Sequence, residues 1–288
     1  MIAKSYLAVP VAGVALAVAG CGSSSSSTSA AKPSAPAPSA AASTVAATPA
    51  SSGSGAMMSA DTGAMIRVLA PTGGTTIHGN AVPLDVSITH FKVACQFAGT
   101  PNQMGVGHYH VMLDGSLVNM FCAPRAAISL QNVKPGAHTL EVLAAENDHT
   151  DDMKSAQKVS FTYAPTKALP AIAAAQLGSP SIKILSPAPG STVHGGFDLS
   201  VQPTNFKFSC ALYGKPDVAG YGHWHINVDS TSKGMMGMGT MMGMSCARTF
   251  HVSLAGIKPG RHTFYAILED NQHAPTPHAQ ASVTVNVS

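Results

Sequence analysis

Two short segments, Gly107-His108-Tyr109-His110 and Gly222-His223-Trp224-His225, each set a pair of imidazoles two residues apart. On an extended chain alternate side chains share a face, so His108 points with His110 and His223 with His225, close enough to hold one metal ion. A further histidine follows each pair at the end of a later apolar stretch: His149 after Glu146-Asn147-Asp148, and His273 after Asp270-Asn271-Gln272. If that later strand neighbours the first, a third imidazole reaches the pair, and a three-histidine set suits copper or zinc. A softer donor set stands in the second half alone, where Met235, Met236, Met238, Met241, Met242 and Met244 lie among glycines between Gly234 and Ser245. Thioethers select Cu(I), and they serve in oxidising compartments where thiols would be lost to disulfides. The competing use of such a loop is adaptable apolar contact, although a loop so spaced by glycine can hardly make a core. His78, His194, His138 and His262 sit in or just after turns and read as structural.

The elements that must position these donors are strands. Opposite the histidines, Tyr109, Val111 and Leu113 share one face in the first segment, and Trp224, Ile226 and Val228 do so in the second. That apolar face must pack on an opposing sheet, which puts the histidine pairs on the outward face. Short alternating stretches separated by Pro, Gly, Asn and Asp turns, with no convincing helical period, predict an all-β chain of antiparallel sandwiches. The chain also repeats itself: His78, Cys95, His108, His110, Cys122, His138 and His149 answer His194, Cys210, His223, His225, Cys246, His262 and His273. The spacing grows by nine residues between the His108/His223 and Cys122/Cys246 positions, and the extra residues fall in the methionine segment. The expected organisation is one domain over 61–165, an Ala- and Pro-rich linker over 166–180, and a second domain over 181–288.

The opening of each repeat has a β-branched stretch, Ala-Pro or Ser-Pro, a Gly turn and then Ile-His-Gly or Val-His-Gly. With the later Pro-Gly-x-His-Thr strand, it resembles bacterial Ig-like domains. The GHYH and GHWH strings more specifically resemble a group of uncharacterised exported domains with His-rich sheets. The resemblance implies two tandem Ig-like sandwiches, with Trp224 where such folds often bury a tryptophan and with the third histidine's strand beside the pair's strand. It implies fold and no activity. Of the five cysteines four fall two to a repeat, and only Cys95–Cys122 with Cys210–Cys246 gives both copies the same bridge.

The fifth cysteine belongs to the N-terminus. Lys4, an apolar run from Tyr6 to Ala19, and Val18-Ala19-Gly20-Cys21 read as a secretory signal over 1–20. The string LAVAGC resembles the bacterial lipobox, which implies a lipidated Cys21 at the mature N-terminus, the thioether carrying a diacylglycerol. Residues 21–60 are nearly all Ser, Ala, Thr, Pro and Gly, and predict a disordered tether. Sixteen basic against thirteen acidic residues, unclustered, exclude a nucleic-acid surface. No paired carboxylates, nucleophile elbow or phosphate loop points to an enzyme. The HxH pair is similar to one in copper-zinc superoxide dismutase, but the remaining ligand pattern is not found. The expectation is an envelope lipoprotein, anchored on the extracytoplasmic face of the membrane, that binds, buffers or delivers copper, with zinc as the other candidate ion. The alternative is a non-catalytic interaction module recognising an envelope protein or glycan.

Overall fold

Residues 59–288 are described by the computed structural model; the signal, Cys21 and most of the tether lie outside the described residues. Where the sequence alternates, it forms strand. The first repeat runs β1 (Met65–Ala70), β2 (Thr75–Ile77), β3 (Ala81–Thr89), β4 (Lys92–Val93), β5 (Val106–Leu113), β6 (Ser116–Phe121), β7 (Arg125–Ser129), β8 (Gly136–Glu146) and β9 (Asp151–Tyr163). The second runs β10 (Ser181–Ser186), β11 (Thr192–Val193), β12 (Gly196–Thr204), β13 (Lys207–Phe208), β14 (Tyr221–Val228), β15 (Met241–Ser245), β16 (Thr249–Ser253), β17 (Gly260–Glu269) and β18 (Pro275–Val287).

In each repeat a three-stranded sheet, β1-β3-β7 or β10-β12-β16, faces a six-stranded one, β2-β9-β8-β5-β4 or β11-β18-β17-β14-β13. In the larger sheets β6 and β15 pair only with the histidine strands β5 and β14. The result is a tandem Ig-like sandwich. Tyr109, Val111 and Leu113 enter the first core, and Trp224, Ile226 and Val228 the second, as their alternation requires. The two aromatic residues are equivalent, and each satisfies its polar atom on an equivalent carbonyl. Tyr109 Oη donates to Ala123 O at 2.6 Å, and Trp224 Nε1 donates to Ala247 O at 2.8 Å.

Cys95 is joined to Cys122, and Cys210 to Cys246, so each bridge ties the turn preceding a histidine strand to the far end of the neighbouring edge strand. Linker residues are held at both ends. Asn132 Nδ2 donates to Ile172 O at 2.9 Å, and Ala175 N donates to Ala219 O at 2.8 Å.

Two expectations are corrected here. The histidine faces do point outward from their own sandwiches, but all six side chains are buried, because each repeat covers the other's face. The methionine segment is also no open loop. Residues 235–240 form a 3-10 turn and 241–245 the strand β15. Met238, Met241 and Met244 pack into the first repeat's core and Met242 into the second's. Unbranched, flexible side chains let a glycine-spaced segment fill the irregular gap between two curved sheets.

Candidate metal centre

Antiparallel pairing of β5 with β8 sets His108 opposite Ala145 and His110 opposite Leu143, which brings the turn after β8 to the histidine face. His149 sits in that turn in a left-handed conformation, φ 64°, and His273 takes the same conformation, φ 65°, after β17. Such a backbone costs a non-glycine residue roughly 1–2 kcal/mol. Both repeats bear that cost at the same position, and it folds the ring back over the pair.

In the first repeat His108 Nε2 lies 3.0 Å from His110 Nε2 and 3.0 Å from His149 Nδ1, and the third side of the triangle is 3.3 Å. In the second, His223 Nε2, His225 Nε2 and His273 Nδ1 make sides of 2.9, 2.9 and 3.2 Å. Three donors about 2.0 Å from a common ion at tetrahedral angles stand about 3.3 Å apart, so both triangles fit an ion. The rings are 0–4% exposed.

The surrounding groups decide where the ring protons sit. His149 Nε2 donates to Met241 O at 2.7 Å, which leaves its Nδ1 unprotonated. His110 Nδ1 donates to the Asp151 carboxylate at 2.7 Å. In the second repeat His273 Nε2 donates to Leu117 O at 2.9 Å. His108 Nδ1 and His223 Nδ1 are buried with no protein partner among the described residues. Carboxylate and carbonyl acceptors behind the donor rings are the usual outer partners of metal-ligating histidines.

Burial, followed by the neighbouring imidazoles, pushes His108, His223 and His225 well below the ordinary histidine range. His149 falls to about 3, mainly by burial, and His273 to about 4, again mainly by burial. Neutral rings are the form a metal ion takes. Glu269 approaches His225 Nδ1 only to 3.6 Å, and burial raises its carboxyl to about 9. Both partners are held neutral, so this contact is no ion pair.

All six histidines singled out in the sequence thus lie in two groups of three, with no further His, Cys, Asp or Glu donor in either group among the described residues. Sequence reasoning missed the outer partners: Asp151, Glu269 and the carbonyls of Leu117 and Met241. Only the matched positions of Leu117 and Met241, each just beyond its strand-joining turn, left any signal. His78 and His194 lie by the chain ends of their sheets, with Ala164 O at 2.8 Å from His78 Nδ1 and the Ser288 hydroxyl at 2.5 Å from His194 Nδ1. His138 and His262 bridge Asp114 to Lys134 O and Asp229 to Lys258 O.

No known protein family and no curated protein matches the chain. Solved structures similar to it include fibronectin(III)-like modules of CbhA from Clostridium thermocellum, 13% identical over 78% of this chain and 94% of that one, TM-score 0.25. A tetra-tandem repeat from the extending region of a large adhesion protein is 12% identical over 78% of this chain and 49% of that one, TM-score 0.23. The chicken CNTN1 FN1-FN3 domains are 10% identical over 76% of this chain and 66% of that one, TM-score 0.22. Likeness this distant carries no function.

Proposed function

We propose that this chain is a cell-envelope lipoprotein, anchored through Cys21, that binds copper at one three-histidine centre in each repeat and so buffers or hands on the ion. The convergence of three ring nitrogens, twice, to within 3.3 Å carries the reading. Apart from copper, imidazole suits zinc, iron and nickel, and copper heads the divalent affinity order. Structural zinc is almost always four-coordinate, and these buried groups offer three donors, a number that Cu(I) accepts. The two disulfides fit an oxidising, extracytoplasmic location.

The test is metal content and competition titration of protein lacking its first 21 residues. Two copper ions per chain are expected, one after His108→Ala with His110→Ala, and none when His223→Ala and His225→Ala are added. Protein that takes up neither copper nor zinc, and whose thermal stability neither ion changes, would sink the reading. It would favour the interaction module, for which one observation speaks: Leu69 and Leu185 stand at matched positions on β1 and β10, 48% and 61% exposed.

A further inference from the structure

Each triad is completed from the opposite repeat. His149 of the first repeat donates to the carbonyl of Met241 on β15 of the second, and His273 of the second donates to the carbonyl of Leu117 on β6 of the first. Leu117 and Met241 are equivalent: each pairs with the residue two beyond the second histidine, Met112 on β5 and Asn227 on β14. The two hydrogen bonds are therefore one contact made twice, across an approximate two-fold relation between the repeats.

The edge strands carrying these carbonyls meet the other repeat at backbone distance. A Cβ on Gly99 would stand 2.7 Å from Thr240 O, and one on Gly214 would stand 2.6 Å from Leu117 O. Neither glycine could carry a side chain without pushing the edge strand away. Around them Tyr213, Met238, Met241 and Met244 of the second repeat are buried in the same apolar cluster as Ala98, Val118 and Met120 of the first. All six imidazoles lie under this seam, 0–4% exposed.

Building on the copper reading, we infer that each centre is a joint product of both repeats and that copper enters and leaves as the β6 and β15 edges part. The carbonyls of Leu117 and Met241 are positioning groups. They hold the third imidazole as an Nε2 donor and so aim its Nδ1 lone pair at the pair. Parting the edges breaks those two hydrogen bonds, frees the rings and admits solvent to both centres at once, because they share one seam.

The experiment follows copper release from the loaded full-length protein into excess chelator by stopped flow. Met241→Ala leaves a void in the seam, whereas Met241→Leu keeps it filled and removes the sulfur. Release is expected to be at least about tenfold faster for the alanine variant and within about twofold of wild type for the leucine variant. The decisive arm adds His108→Ala and His110→Ala, so that only the second centre is loaded. Met241 O serves the first centre but its strand borders β14, so the arm is read together with Val118→Ala on β6 of the first repeat: a shared seam speeds release from the second centre in both variants. Val118→Ala opens the seam from the other side and stands in if Met241→Ala fails to fold. A second centre whose release is unchanged in both seam variants, or a leucine variant as fast as the alanine one, overturns the inference while leaving copper binding intact. Wild-type protein that takes up no copper overturns both.

Discussion

Asp151 and Glu269 occupy different places in the repeat, the start of β9 and the end of β17, yet each turns its carboxyl to Nδ1 of the second histidine of a pair, at 2.7 and 3.6 Å. The registers show the exchange. Ala145 faces Asp151 in the first repeat, and Glu269 faces Pro275 in the second, so each carboxyl stands where the other repeat has Ala or Pro. Descent from one ancestral repeat would preserve the position. Here the position has changed while a carboxyl still stands beside that nitrogen, hydrogen-bonded to it in the first repeat and only near it in the second.

That acceptor sets the first prediction. Asp151→Asn, measured with the second centre removed by His223→Ala and His225→Ala, should weaken copper binding at the first centre by about 10–100-fold. Glu269→Gln, with the first centre removed, should cost less, because its carboxyl is neutral and stands beyond hydrogen-bonding distance from His225. Unchanged affinity in the Asp151 variant would show that the carboxylate does not support the ligand.

The bridges give the second. Cys95–Cys122 and Cys210–Cys246 span 27 and 36 residues and anchor the turns leading into β5 and β14. Replacing either pair by serine should lower stability by about 2–5 kcal/mol in denaturant titration. Copper affinity should fall most at the centre in the altered repeat. Non-reducing peptide maps should show each bridge within its repeat; a bridge between repeats would contradict the fold.

The strand alternation, the repeat, the bridges and the third histidine could all be read in the sequence, because each rests on local spacing or on comparison of one copy with the other. The seam could not. Outward is a direction relative to one sandwich, and nothing in GHYH or GHWH says that another sheet will lie on that face. The methionines misled for the same reason: their glycine spacing looks unable to pack, yet Met241 is fully buried once a second repeat supplies the other wall. Asp151 and Glu269 were invisible to repeat comparison because they are not equivalent.

Membrane attachment is the third prediction. Cys21→Ala should shift the protein from the membrane fraction to the soluble envelope or medium, since stable anchoring needs more than one acyl chain or an equivalent second signal. The disulfides and copper stoichiometry of the released protein should be unaltered. Retention on the membrane equal to wild type would refute the lipobox reading.

The last prediction concerns pH in the metal-free protein, where buried carboxyl and imidazole groups act with opposite sign. His108, His149, His223, His225 and His273 are all depressed in the fold, His149 to about 3 and His273 to about 4. In the unfolded chain each titrates near about 6.5, so below that pH the unfolded state binds more protons. Their contribution is complete above about pH 6.5 and is lost as pH falls, by up to about 1.4 kcal/mol per unit for each ring. Glu269 runs the other way. Its carboxyl keeps a proton in the fold up to about 9, where an exposed carboxyl loses it near 4.5, so its contribution is complete below 4.5 and is lost as pH rises towards 9. Below pH 6.5 five histidines outweigh one carboxyl; above it the carboxyl dominates up to about 8, where the buried Lys215 ammonium, lowered by desolvation, begins to act with the opposite sign. The melting temperature should therefore peak near about pH 6.5–7, falling steeply on the acid side and gently on the alkaline side. Glu269→Gln should remove the alkaline decline and steepen the acid fall, and bound copper should shift the acid fall to lower pH by competing with protons for the same nitrogens. A melting temperature that stays level from pH 7 down to 5 would mean that the triads are not buried in their neutral form.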